Sequence, residues 1–171
     1  DGNGASDENT ATVDIGSVSQ PINLNNKRVD GGDRGTGVDG YIDGAIIYAD
    51  NDFSSSLTPN DKIAQADATG GFTIYGASGP LILEDGFDIS TNKEFSVRYK
   101  APYEDGTDAY QVINPVTSLV AAKYAQGKAS ASDGNYALSA AEAYVHTQIG
   151  DPLSSDSDLR YYNAYEEIAK S

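Results

Sequence analysis

The hydrophobic pattern of this chain changes its period once, near residue 113, and that change limits the folds open to it. Between residues 40 and 99, short runs rich in Ile, Val, Phe and Tyr are separated by clusters of Gly, Asn, Asp and Ser. Such runs are typical of β-strands joined by turns, and we predict strands at 41–49, 71–75, 80–83 and 94–99. After residue 113 the apolar residues recur at helical spacing. The sequence therefore predicts an α+β fold with the strands first.

Three helices are predicted in the second part of the chain. Asn114 is a suitable N-cap for the first helix, which is expected to end at Gly127. The second helix is expected to begin with a capping box formed by Ser139 and Glu142. A third is predicted from about Asp158.

These patterns divide the chain into three parts. Its 171 residues are enough for one domain of ordinary size. We predict a flexible N-terminal arm at residues 1–36, a small antiparallel β-sandwich at 37–112, and a helical segment at 113–171 that packs on the sandwich.

The N-terminal arm is poor in residues that build a core. The first forty residues contain no aromatic residue but hold eight of the eighteen glycines, and residues 30–37 (DGGDRGTG) are expected to be a flexible leash. Alternation at a period of two predicts an extended strand at residues 11–24, whose apolar residues are Val13, Ile15, Val18, Ile22 and Leu24. Two interpretations stay open. The strand is either an edge strand of the chain's own sheet or an exchanged strand that completes a neighbouring subunit.

The charge and composition exclude several function classes. The chain carries 26 acidic and 11 basic residues, a net charge of −15, whereas sequence-independent binding to nucleic acid needs Lys and Arg to displace counterions. We therefore expect no nucleic-acid partner. No apolar run approaches the roughly 20 residues that span a bilayer, so no membrane insertion is expected. The lack of Cys removes thiolate catalysis, Cys-bound zinc and disulfides.

The densest acidic cluster surrounds a long predicted loop. Its candidate metal ligands are Asp43, Asp50, Asp52, Asp61 and Asp67. Calcium takes about six to eight oxygen ligands in flexible geometry, and a D-x-D pattern directs two carboxylates to the same side. We therefore expect calcium as the cofactor.

Two observations weigh against a specific calcium motif. Asp is a favoured turn residue that bonds its own backbone, so the same residues could serve turns alone. An EF-hand loop counted from Asp50 would have Gly at its sixth position and Glu at its twelfth, where this sequence has Ser55 and Asp61. The EF-hand pattern is therefore not matched.

Several segments between residues 40 and 168 carry a family resemblance. They are GYIDGAIIYADND, ADATGGFTI, LEDGFDISTNKEFSVRYKAP, LSAAEAYVHTQIGDPLSSDSDLRYYNAYEEIA and, most distinctively, VINPVTSLVAA at 112–122. Together they resemble a module of large bacterial calcium-dependent (RTX-type) adhesin and surface proteins. The resemblance implies a β-sandwich of Ig-like or carboxypeptidase-regulatory-like type, with calcium held by Asp50, Asp52 and Asp61. It also implies an extracellular, non-enzymatic role in adhesion or surface architecture.

An enzymatic function is not expected. The single His, His146, lies on a predicted helix, and no G-x-S-x-G segment offers a nucleophile for a Ser-His-Asp triad. The chain has many acidic pairs of the kind a glycosidase uses, but nothing in the sequence selects one of them.

The function we predict is that of a secreted, calcium-binding structural subunit. Because the chain contains no Met, we expect the mature form of an extracellular or cell-surface protein. Head-to-tail exchange of the strand at 11–24 does not close on itself, so it would produce a homopolymeric filament or surface layer. The alternative is a monomeric adhesin module that binds a glycan or peptide, for which the 12 Tyr residues would supply contacts.

Overall fold

The strands of this chain are short and form three sheets. A computed structural model describes residues 32–38, 41–103, 111–149 and 159. The strands are β1 (Gly32–Gly37), β2 (Ile42–Asp43), β3 (Ile46–Ala49), β4 (Lys62–Gln65), β5 (Gly71–Tyr75), β6 (Leu81–Glu84), β7 (Phe87–Asp88), β8 (Lys93–Glu94), β9 (Tyr99–Ala101) and β10 (Gln111–Ile113). The helices that follow are α1 (Pro115–Ser130) and α2 (Leu138–Ile149).

Two of the sheets share one hydrophobic core. An antiparallel sheet has the strand order β4-β3-β6-β9, and a mixed sheet has the order β10-β1-β5, in which β1 runs parallel to β10 and antiparallel to β5. Both sheets contribute to the same buried cluster, Ile47 and Leu83 from the first and Ile74 and Ile113 from the second. The third sheet, β2-β7-β8, has strands of two residues each. The predicted α+β class is confirmed.

The central strand β1 differs from the sequence prediction. Residues 32–37 belong to the predicted leash, and the predicted boundary at 36/37 falls inside this strand. The prediction of a flexible leash is therefore wrong for residues 32–37. A Cβ atom at Gly35 would lie 2.2 Å from the carbonyl oxygen of Gln111 and 2.5 Å from the ring of Phe72. Glycine here permits close packing between two neighbouring strands, a use that composition does not distinguish from flexibility. The predicted strand at 11–24 lies outside the described residues.

The other strand predictions agree with the structure in part. The strands predicted at 71–75 and 80–83 correspond to β5 and β6. The run at 41–49 is interrupted at Gly44, whose φ of 66° belongs to a turn that separates β2 from β3. The run at 94–99 is divided between β8, an irregular stretch and β9, while β4, β7 and β10 were not predicted.

Asn114 caps α1 as predicted. Its side chain accepts a hydrogen bond from the backbone N–H of Thr117 at 2.8 Å, and Thr117 Oγ1 accepts one from the N–H of Asn114 at 2.9 Å. The same helix start is bonded to β9. Thr117 Oγ1 donates to the carbonyl of Lys100 at 3.0 Å, and Ser118 Oγ accepts a hydrogen bond from the backbone N–H of Lys100 at 2.8 Å. The first turn of α1 therefore covers the outer edge of β9.

The predicted ends of the helices need two corrections. α1 does not end at Gly127 but continues to Ser130. Gly127 instead makes room for a neighbouring side chain, because a Cβ atom there would lie 2.3 Å from the ring of Tyr136. α2 begins at Leu138, one residue before the predicted N-cap Ser139. The capping-box prediction is therefore wrong.

A second hydrophobic cluster joins the two helices. It consists of Val120, Leu138, Ala141, Val145 and Leu159. Apart from Leu159, the third predicted helix lies outside the described residues. The helices thus bury their apolar faces mainly against each other, and α1 joins this pair to the sheet.

Replacing Gly127 with Ala tests whether packing or helix propensity decides this position. Alanine favours a helix over glycine by about 1 kcal/mol, but its methyl group would overlap the ring of Tyr136. Since overpacking costs about 1–3 kcal/mol, we expect a net loss of stability and a lower urea midpoint. Gln126→Ala, at an exposed position of the same helix, is the control. A more stable Gly127→Ala variant would contradict the packing role.

Candidate metal centre

The candidate site is the loop between β3 and β4. These strands pair antiparallel with Ala49 opposite Lys62. The residues that follow β3 and precede β4, Asp50 and Asp61, therefore meet at the same end of the sheet although eleven positions separate them. The backbone N–H of Asp50 donates to the carbonyl of Pro80 at 2.9 Å, which fixes the beginning of the loop.

Three carboxylates converge in this loop. One oxygen each from Asp50, Asp52 and Asp61 lies within 4.8 Å of the others. Asp50 is 1% exposed and Asp61 is 8% exposed, whereas Asp52 is exposed. Asp50 Oδ1 is buried and receives no hydrogen bond from the described part of the chain. A buried carboxylate oxygen without a partner is costly, and a bound cation would offset that cost.

Backbone donors fix the two buried carboxylates. Asp50 Oδ2 accepts the N–H of Ser55 at 2.9 Å. Asp61 Oδ1 accepts the N–H of Asn51 at 2.9 Å, and its Oδ2 accepts the N–H of Thr58 at 2.7 Å. These bonds hold the carboxylates of Asp50 and Asp61 in fixed positions within the loop.

Side-chain donors act in the same way on Asp52. The hydroxyl of Thr58 donates to its Oδ2 at 2.8 Å, and the amide of Asn60 donates to the same oxygen at 3.1 Å. Ser54 contributes a backbone N–H to Oδ1 at 3.1 Å. Chiefly through the Thr58 hydroxyl, these bonds lower the pKa of Asp52 from 3.8 to about 2. Asp52 is thus ionised at any ordinary pH.

The sixth position of the loop has the backbone conformation that an EF-hand loop requires. Counted from Asp50, the sixth residue is Ser55, and its φ is 60°, the left-handed conformation that glycine normally supplies at this position. Asp61, at the twelfth position, supplies a carboxylate that is one methylene shorter than Glu. The EF-hand pattern specifies a residue type at this position, whereas the loop requires only a backbone conformation.

Further oxygen-bearing residues occupy the intermediate positions. An EF-hand loop draws ligands from positions 1, 3, 5, 7, 9 and 12. Here positions 5, 7 and 9 are Ser54, Ser56 and Thr58. Ser54 Oγ donates to the carbonyl of Ser56 at 2.8 Å, and Thr58 Oγ1 contacts both Asp52 and Asp61. Sequence reasoning missed these residues, although the alternate spacing of oxygen-bearing side chains was the signal that identifies them.

The donor set fits a hard divalent cation. All the candidate ligand atoms are oxygens, and Asp50, Asp52 and Asp61 together carry three negative charges. Calcium prefers such a set and tolerates irregular geometry, whereas magnesium requires a near-ideal octahedron and keeps several waters. The residues present therefore fit calcium.

Two basic residues hold the loop against the sheet. Arg98 Nη1 donates to the carbonyl of Ser55 at 3.1 Å, and Lys100 Nζ lies 3.1 Å from the Ser55 hydroxyl. Arg98 also forms an ion pair with Glu84 of β6. The loop is thus connected to β6 and β9 as well as to the strands it joins.

The loop covers the sheet face opposite the shared core. Tyr48 and Ile82 are cross-strand partners on that face, yet both are 0% exposed. The pKa of Tyr48 is raised, first by burial and then by charges that include Glu84 and Asp50. Lys100 of β9 is the cross-strand partner of Ile82, and its contact with Ser55 places the loop on this face. The hydroxyl of Tyr48 has no partner among the described residues.

The remaining predicted ligands lie elsewhere in the fold. Asp43 is in β2 and pairs with Phe87 of β7. Asp67 caps the turn between β4 and β5, where its Oδ1 accepts the N–H groups of Thr69 and Gly71 at 2.8 and 3.0 Å. The structure brings Asp50, Asp52 and Asp61 together without these two, whose role as ligands stays a prediction.

Comparison with known proteins adds no identification. No family model, no curated protein and no solved structure matches this chain. The resemblance to adhesin modules therefore stays a prediction. Among the described residues, no helix has the length and apolar character that crossing a membrane requires.

Asp88 forms a second acidic turn, and it offers a test of pH dependence outside the metal loop. Its carboxylate accepts bonds from the hydroxyl of Thr91 at 2.6 Å and from the hydroxyl and N–H of Ser90 at 2.7 and 2.8 Å. Led by Thr91, these bonds lower its pKa from 3.8 to about 2. Because the folded-state pKa is lowered, the stabilisation is complete above about pH 4 and is lost as pH falls through about 2.

We therefore expect Asp88→Asn to be less stable than the parent chain at pH 7, with a difference that shrinks as the pH falls from 4 towards 2. Thermal unfolding at a series of pH values measures this difference. Glu94→Gln, at an exposed position of the same small sheet, is the control. A difference that does not change with pH would show that the ionised carboxylate is not the source of the stabilisation.

Proposed function

We propose that this chain is a secreted, calcium-binding structural subunit whose copies assemble into an extracellular filament or surface layer. Calcium would stiffen the β3–β4 loop, and the N-terminal arm would be lent to the next copy. The two sheets that share one core are consistent with the Ig-like or carboxypeptidase-regulatory-like type that the resemblance implies. A role in adhesion or surface architecture is part of the same proposal.

The observation that carries the proposal is a buried carboxylate oxygen in the acidic loop that lacks a hydrogen-bond donor among the described residues. Asp50 Oδ1 is buried without a hydrogen-bond donor from the described residues, and the carboxylates of Asp52 and Asp61 lie beside it. Three like charges at this separation repel one another unless a cation lies between them. A bound calcium ion would supply that charge.

The chain's own residues would transmit the effect of calcium to the sheet. Ser55 lies within the loop and is held by Arg98 and Lys100. A cation on Asp50, Asp52 and Asp61 would fix the backbone on both sides of this serine. The loop would then stay closed over Tyr48 and Ile82, and the surface of the subunit would become more rigid.

Calcium should raise the melting temperature of the chain. Binding that favours the folded state stabilises it by about 2.7 kcal/mol when the calcium concentration is 100 times the Kd, which corresponds to a rise of about 5 °C or more. Calorimetry in chelator and in millimolar calcium measures the shift. Asp52→Asn, chosen because Asp52 is exposed, should reduce it, whereas Asp67→Asn should leave it unchanged. Identical curves for the parent chain would remove the calcium claim.

Assembly should require the residues ahead of β1. The chain carries a net charge of −15, so copies repel one another, and calcium would also reduce that repulsion. We expect concentrated protein in calcium to form filaments visible by electron microscopy, and deletion of residues 1–31 to abolish them. The deletion stops before Gly32 so that β1 is kept. Filaments from the truncated chain would contradict the role of the arm.

A groove beside the loop favours a second candidate function, that of a monomeric adhesin module for a glycan or peptide. The groove has a volume of about 470 Å³, and its lining includes Phe53 from the loop, Pro80, Pro102 and Tyr124 of α1. Aromatic rings of this kind stack on sugar rings and on proline-rich peptides. Monomers by light scattering at high concentration, together with saturable binding on a glycan or peptide array, would favour this function over assembly.

A further inference from the structure

The groove beside the acidic loop is built from four separate parts of the chain. The β3–β4 loop contributes Phe53, the connection between β5 and β6 contributes Pro80, and the chain after β9 contributes Tyr103. α1 contributes positions 121, 124, 125 and 128, whose spacing of i, i+3, i+4 and i+7 places them on one face of the helix. The groove is therefore bordered by the candidate metal loop and by α1.

The lining of the groove is mostly apolar. Among the described residues it contains three aromatic rings, Phe53, Tyr103 and Tyr124, and its polar side chains other than tyrosine are Ser78 and Lys128. A neutral sugar carries several hydroxyls, each of which needs a hydrogen-bond partner when it is buried. Proline rings need none, and extended proline-rich segments bind in grooves lined by aromatic residues. The lining therefore favours a proline-rich peptide over a neutral glycan.

The charge of the lining selects among such peptides. The chain carries 26 acidic residues, yet none of the described residues that line the groove is acidic and one of them, Lys128, is basic. Its Nζ lies 5.1 Å from the centre of the Tyr124 ring. A peptide stacked on Tyr124 would therefore bring its neighbouring side chain to this ammonium group, which a carboxylate complements.

Phe53 links the groove to the acidic loop. Its φ is 56°, which is unfavourable for a bulky side chain, and 71% of the residue is exposed. Backbone strain of this kind is concentrated at sites that hold a ligand. The N–H of Phe53 donates to the carbonyl of Asp50 at 3.3 Å, and the preceding residue is Asp52. The position of the ring therefore depends on two candidate metal ligands.

The connection between β5 and β6 is attached to the same loop. The N–H of Ser78 donates to Asn51 Oδ1 at 2.8 Å, and the N–H of Asp50 donates to the carbonyl of Pro80 at 2.9 Å. A Cβ atom at Gly79 would lie 1.9 Å from the carbonyl oxygen of Asp50, so the two segments are in direct contact. A cation on the loop would thus fix two parts of the lining at once.

We propose that this groove binds an acidic, proline-rich peptide segment of a partner, and that the cation in the loop controls the binding. The proposal rests on the calcium site proposed above. Without the cation, the three carboxylates of the loop repel an acidic peptide. With it, two positive charges lie near Phe53 and the loop is held in one conformation. Lys128 would pair with the carboxylate of the peptide, and Phe53 and Tyr124 would stack on its prolines.

A labelled peptide of four Pro-Pro-Glu repeats is the probe. Its fluorescence anisotropy measures binding to the full chain in millimolar calcium and in chelator. We expect saturable binding in calcium that is about tenfold weaker in chelator, which lies within the usual range of coupling between two sites. The same peptide with Gln in place of Glu should bind less tightly, and the peptide with Lys should not bind.

Two pairs of variants locate the site. Phe53→Ala should weaken binding about tenfold, whereas Leu57→Ala, at an exposed apolar position of the same loop outside the lining, should leave it unchanged. Lys128→Gln should weaken binding of the Glu peptide about threefold and leave binding of the Gln peptide as it is. Lys123→Gln is its control, because Lys123 lies on the same helix over the ring of Tyr144 and outside the groove. Equal losses in a variant and its control would overturn the location.

The melting temperature of the same samples separates this proposal from the calcium site. If calcium raises the melting temperature but the peptide does not bind, or binds equally in chelator, the controlled groove is overturned and the calcium site stands. If calcium does not change the melting temperature, the calcium site is overturned together with the control that rests on it. Binding of a neutral glycan that requires Phe53, without binding of the peptide, would overturn the peptide as the occupant.

Discussion

The antiparallel pairing of β3 with β4 is the constraint on which the candidate site depends. Because Ala49 lies opposite Lys62, the chain must place Asp50 and Asp61 side by side at the end of this pair. Bringing carboxylates together opposes folding, and the loop reduces that cost by directing the N–H groups of Ser55, Asn51 and Thr58 at them. One oxygen of Asp50 is left without such a donor. The three carboxylates therefore form a group that could hold a metal ion.

The acidic loop is also part of the packing of the four-stranded sheet. Tyr48 and Ile82 lie on the face away from the shared core, where a two-layer protein would usually be open to water. They are buried because the loop folds back over them, held at Ser55 by Arg98 and Lys100. A change in the charge of the loop is therefore expected to alter the packing of Tyr48 and Ile82 on this face of the sheet. The proposed cation binding would therefore be linked to the stability of the chain through these few residues.

The sequence predicted local features well where a local interaction decides them. The cap of α1 depends on Asn114 and Thr117, which are three residues apart, and the structure has the cap as predicted. The strands β5 and β6 are short runs rich in apolar residues, and they too were predicted. The predictions were wrong where the structural role of a residue depends on a contact with a residue distant in the sequence. The glycines of β1 were predicted to form a flexible leash, although Gly35 fits between Phe72 and Gln111. Gly127 was predicted to end a helix, although it accommodates the ring of Tyr136.

What the sequence determined by itself is the α+β class, the cap of α1 and the acidic character of the segment between β3 and β4. These follow from periodicity, capping chemistry and composition, which act over a few residues. Only the tertiary structure decided which of the five predicted aspartates converge, because strand register joins Asp50, Asp52 and Asp61 and leaves Asp43 in β2 and Asp67 in a separate turn. It also decided that Ser55 adopts the left-handed backbone of a glycine. The physical reason is the same in both cases: pairing between strands fixes the ends of the loop, and the loop backbone must adopt whatever conformation closes that distance.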